Sequence, residues 1–120
     1  DERGSVEHRD ENSNIGGTMR LGEQECIIKK DTNVFDAYEM KSILERHRHR
    51  YEFNNKYKSV LEKNGLVISG TSVDGTLVEV IELKDHPWFL GCQFHPEFTS
   101  KPIKGHSLFN AFIKSIRDKK

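Results

Sequence analysis

Apolar residues first become regular in GGTMRLGEQECIIKK (16–30), where Met19, Leu21, Ile27 and Ile28 predict extended chain broken at Gly22, a hairpin-like pair of strands. The first fourteen residues, DERGSVEHRDENSN, are charged, small and polar, a pattern that predicts an exposed loop or lid. Asp31 or Thr32 is placed to cap a short helix over NVFDAYE, with Val34, Phe35 and Tyr38 at helical spacing. KSILERHRHRYEFN gives up that spacing for alternation. In KYKSVLEKNG the helical period returns: Tyr57, Val60 and Leu61 fall at i, i+3 and i+4, lysines cover the other face, and Gly65 stands at the C-terminal cap.

Three β-like runs follow between Leu66 and Phe98. LVISGTS and TLVEVIEL are joined through VDG, and Asp74-Gly75 predicts a hairpin turn because glycine takes positive φ freely. Val78 and Val80 alternate imperfectly with Glu79 and Glu82, so this strand is expected to be buried on more than one side near its end. Asp85, His86 and Pro87 make the next turn, and WFLGCQF is the third run. In the tail, HSLFNAFIKSIRDKK puts Leu108, Phe109, Phe112, Ile113 and Ile116 on one helical stripe, with cations at the C-terminal end where the helix dipole favours them.

A length of 120 residues allows one small domain. Nineteen Lys plus Arg balance nineteen Asp plus Glu, which removes the electrostatic argument for a nucleic-acid or anionic-membrane partner. No apolar run approaches the roughly 18–20 residues that a bilayer span needs, so no membrane partner is expected either. Two cysteines with no paired motif and no secretory signal point to free thiols and a cytoplasmic setting. The first residue is Asp1 rather than methionine, and a fragment or processed product is the expectation.

Candidate chemistry gathers in WFLGCQFHPEFTS, Trp88 to Ser100. Pro96 biases His95 to extended backbone and cannot donate to a sheet ladder, so a strand is expected to end here. In extended chain, residues two apart share a face with Cα atoms roughly 6.6–6.8 Å apart. Glu97 could then accept the Nδ1 proton of His95 and leave Nε2 free to take a proton from a nucleophile. Cys92, three residues before His95, faces the opposite side by the same parity and reads as core packing. Cys26 lacks the flanking glycines of a strained strand-to-helix elbow, and no Gly-x-Cys-x-Gly turn occurs in the chain, so the nucleophile is missing. Two other readings remain open. Arg46, Arg48 and Arg50 alternate with His47 and His49, a possible anion or nucleic-acid stripe, although Glu45 and Glu52 flank it. Metal binding by His47, His49, His86, His95 and His106 lacks any ligand spacing of a known site.

GGTMRLG (16–22), ERHRHRYEFN (45–54) and HPWFLGCQFHPEFTSKP (86–102), in that order, resemble the C-terminal part of the class I glutamine amidotransferase (glutaminase) domain of the CTP synthase family. The resemblance covers essentially the whole chain. It implies an α/β, flavodoxin-like glutaminase domain, of which these residues supply the later strands, the hairpins and the closing helix. His95 and Glu97 match the family's catalytic histidine and glutamate, and Arg50 matches an arginine that binds the α-carboxylate of glutamine, a task suited to its planar charged fork. The loop 1–17 resembles a lid over the glutamine site through which GTP activates. By the same resemblance the nucleophilic cysteine, its elbow and the synthetase domain that uses UTP, ATP and magnesium lie upstream, and the parent is a homotetramer. The 120 residues alone are expected to be inactive, and no cofactor is expected on them. Ser107 departs from the proline usual there, a replacement that a helix start tolerates.

Overall fold

The computed structural model describes residues 19–118, so the loop 1–17 lies outside the described residues. Five strands, β1 (Arg20–Ile28), β2 (Ser42–His49), β3 (Leu66–Ser72), β4 (Val78–Leu83) and β5 (Leu90–Cys92), form one sheet in the order β2-β1-β3-β4-β5, every neighbouring pair antiparallel. Helix α1 (Asn33–Tyr38) links β1 to β2, α2 (Lys58–Lys63) precedes β3, and α3 (Ser107–Arg117) closes the described chain. The mixed α/β composition agrees with the expected class.

β1 corrects the hairpin expected over 16–30. It is one strand, because eight successive residues pair with β2, from Arg20 opposite His49 to Ile27 opposite Ser42, and the ladder carries Gly22 through at φ +89°. Glycine tolerates that angle, so here it bends a strand instead of ending one. Gly70 is needed for a different reason. A Cβ there would lie 2.7 Å from Val80 Cγ2 and 3.0 Å from Cys26 Sγ, at a shift in the β3–β4 register.

α1 starts as its sequence predicts. Thr32 Oγ1 accepts from the Phe35 N–H at 3.2 Å, and the chain leaves the helix at Glu39 with φ +56°. A second cap comes from far along the chain: the buried Glu82 carboxylate accepts from the Asn33 N–H at 2.9 Å and the Val34 N–H at 3.0 Å. Two orphan amides and the positive end of the helix satisfy a charge that would otherwise oppose burial. This accounts for one of the two glutamates that break alternation in β4.

The core comprises Cys26, Ile28, Val34, Ile43, Val80, Phe94 and Leu108. The two helices read from apolar stripes turn little of them inward. In α3 only Leu108 is buried, while Phe109, Phe112, Ile113 and Ile116 stay exposed; beside α2, Tyr57, Val60 and Leu61 do the same. Periodicity marked both helices correctly, but it cannot say what covers the stripe.

Candidate functional site

The third apolar run is a strand only from Leu90 to Cys92; the chain then bends, and Pro96–Phe98 form a 3₁₀ turn with His95 as its N-terminal cap residue. The strand parity expected for His95 and Glu97 therefore does not apply. The turn brings the two together by a different route: His95 Nδ1 lies 2.8 Å from Glu97 Oε2. A carboxylate only accepts, so Nδ1 carries the hydrogen, and in the neutral ring Nε2 keeps its lone pair. His95 is held extended by Pro96 (φ −110°, ψ 90°), its N–H donates to the Arg46 carbonyl of β2 at 2.9 Å, and its ring stacks on Phe98 at 4.7 Å between centroids. Both side chains remain open to solvent, and the hydrogen bond from His95 holds the Glu97 carboxyl below the usual carboxylate range.

Neither cysteine approaches this pair in a reactive state. Cys26 is fully buried in the core, and burial pushes its thiol far up. Cys92 packs against the same core, its thiol donates to the Phe94 carbonyl at 3.4 Å, and burial raises it to about 12. The thiolate is the nucleophile, so both are inert at neutral pH.

Arg50 is exposed one residue beyond the end of β2. Along β2 the alternation holds, with Arg46 and Arg48 outward and Glu45 and His47 buried. Among the described residues no three His, Cys, Asp or Glu side chains converge as a metal site requires.

Beneath this strand lies a polar cluster that the sequence did not reveal. Arg20, 3% exposed at its side chain, donates through Nη2 to Glu79 Oε2 at 2.5 Å and through Nε to Gln24 Oε1 at 2.9 Å, and its Nη1 lies 3.4 Å from Glu52 Oε1. His49 Nδ1 donates to the Tyr51 carbonyl at 3.0 Å, so in the neutral ring Nε2 accepts from His47 Nδ1 at 2.8 Å. That tautomer leaves His47 Nε2 bare, 3.9 Å from Glu79 Oε1 and with no hydrogen on either atom. The contact is not an ion pair at neutral pH, because burial, aided by Arg20, pushes the His47 imidazole down to about 3. The unfolded chain takes up that proton near pH 6.5 and the folded one does not, so this contribution to stability is intact above pH 6.5 and lost as pH falls toward 3. Urea unfolding of the wild type and His47→Asn should show the mutant's acid slope shallower by up to about 1.4 kcal/mol per pH unit within that window.

A family model described as glutamine amidotransferase class-I matches residues 3–115. The chain belongs to the class I glutamine amidotransferase family. Within it, this amidotransferase sequence is 56% identical over 110 residues to the CTP synthase of Desulfotalea psychrophila and 60% identical over 110 residues to that of Oleidesulfovibrio alaskensis, in each case 92% of the chain and 20% of the relative. It thus spans about a fifth of the length of the curated relatives it matches. Its fold matches that of a Trypanosoma brucei CTPS glutaminase domain with bound acivicin at a TM-score of 0.78 and 34% identity, over 85% of this chain and 41% of that one. The chain is therefore similar to the glutaminase part of CTP synthases over nearly its whole length.

The chain also buries Arg20, Glu45, Glu79, Glu82 and His106, whose partners sequence reasoning did not identify. Glu79 and Glu82 carried a signal, two acids inside the apolar run TLVEVIEL. Arg20 and Glu45 carried none, since their partners lie far along the chain.

Proposed function

We propose that this chain is the part of a CTP synthase's glutaminase domain that supplies the catalytic base and its orienting acid, His95 and Glu97, with Arg50 binding the α-carboxylate of glutamine. The observation that carries the reading is the 2.8 Å His95 Nδ1–Glu97 Oε2 bond, which leaves Nε2 as an open base at the surface. A cysteine contributed by the rest of the domain would lose its proton to His95 Nε2 as sulfur attacks the glutamine amide carbon. The imidazolium then returns that proton to the departing nitrogen, ammonia leaves, and a γ-glutamyl thioester remains. His95 next takes a proton from water as the water oxygen attacks the thioester, releasing glutamate and the thiol. Glu97 stabilises the imidazolium at both stages.

The ammonia would serve an ATP-dependent amination of UTP to CTP in the synthetase part of a homotetrameric cytoplasmic enzyme. Magnesium and ATP would be held there. GTP activation would act through the 1–17 loop.

The 120 residues alone should release no ammonia from glutamine, and supplying the remaining domain should restore release. Hydrolysis by the isolated chain that Cys92→Ala abolishes would overturn this reading.

A further inference from the structure

The turn that carries His95 and Glu97 is tied to β2 at both ends by consecutive residues. At its start the His95 N–H donates to the Arg46 carbonyl at 2.9 Å; at its end Thr99 Oγ1 donates to Glu45 Oε1 at 3.2 Å. Glu45 is 3% exposed, and its other oxygen is equally engaged. Glu45 Oε2 accepts from the Tyr38 hydroxyl at 2.5 Å and from His106 Nε2 at 2.5 Å. His106 Nδ1 accepts the Leu108 N–H at 3.0 Å as the cap of α3, so its single hydrogen is on Nε2 and the ring can make both bonds while neutral. One buried carboxylate therefore joins α1, the start of α3 and the turn, and its geometry is fixed from three directions.

We propose that Glu45 is a positioning residue for the His95–Glu97 pair, acting through the Thr99 hydroxyl. This rests on the reading of that pair as the base and its orienting acid. Thr99 itself is exposed, and its backbone already closes the 3₁₀ turn onto the Pro96 carbonyl at 3.2 Å. Its hydroxyl, which has the Glu45 carboxylate at 3.2 Å and the Pro96 carbonyl at 3.4 Å within reach of its one hydrogen, is thus the part of the residue that refers the turn to a rigid point on the sheet. Catalytic groups need to be held within about 0.5 Å of the working geometry, and a turn anchored only at His95 can pivot about that end. The substrate's α-carboxylate contact at Arg50 does not depend on this tie, so the effect belongs to kcat and not to KM.

The test uses the full-length enzyme with glutamine or ammonia as nitrogen donor. Thr99→Val, a near-isosteric change at an exposed position, is expected to lower glutamine-dependent kcat about tenfold with KM for glutamine within about twofold and ammonia-dependent turnover unchanged. Thr99→Ser, which keeps the hydroxyl, should return kcat to within about twofold of wild type. Glu45→Gln should follow Thr99→Val, and the ¹⁵N shifts of the His95 ring should show a mixture of tautomers in both. If Thr99→Val keeps full glutamine-dependent kcat while His95→Ala loses it, the positioning role of Glu45 is wrong and the catalytic pair stands. Full activity in both variants refutes the catalytic pair itself.

Discussion

In the full-length enzyme, His95→Ala should lower glutamine-dependent turnover by about 10³–10⁴-fold, because on the proposed reading the substitution removes the group that would accept the thiol proton and later activate water. Ammonia-dependent turnover should be unaffected, which separates loss of the base from loss of the fold. Glu97→Gln should cost less, since an amide still accepts from Nδ1 but no longer balances the imidazolium charge. In the wild type the His95 hydrogen bond keeps Glu97 ionised below the usual carboxylate range. The carboxylate is therefore in place throughout the neutral range, and its orienting effect fades only as pH falls through that depressed value. A His95→Ala enzyme that retains full glutamine-dependent rates would remove the proposed mechanism.

Arg20→Met should destabilise the glutaminase domain by about 3–5 kcal/mol, read from urea unfolding. Arg20 is the cation between two buried carboxylates, with side chains 0% exposed for Glu79 and 8% for Glu52. Removing it leaves both acids without that cation, Glu79 with only the bare Nε2 of His47 3.9 Å away, and the cost is their lost neutralisation more than the lost attraction. Adding Glu79→Gln to the Arg20→Met background should recover part of the loss, because one stranded charge is gone. If the single variant unfolds within about 1 kcal/mol of wild type, Arg20 does not neutralise these acids.

The two sites differ in how far the sequence revealed them, and that difference follows from how each group is held. His95 and Glu97 are two residues apart, and Pro96 dictates the backbone between them, so their meeting was legible even though the strand geometry invoked for it was replaced by a 3₁₀ turn. Cys92 likewise read correctly as packing. Arg20 and Glu79 meet across 59 residues, and Glu45 and His106 across 61. No window of the sequence contains both partners.

What the chain's order of residues settled by itself is local: the Thr32 start of α1, the Asp74-Gly75 turn, the change to alternation along β2, the helical period of α3 and the pairing around Pro96. Each depends on φ/ψ preferences and side-chain spacing within a few positions. Tertiary structure decided the rest. It made 20–28 one strand through β2 pairing, buried Arg20, Glu45, Glu79 and Glu82 by supplying partners from distant segments, and left the α3 stripe open, because burial and charge compensation depend on what arrives from elsewhere in space.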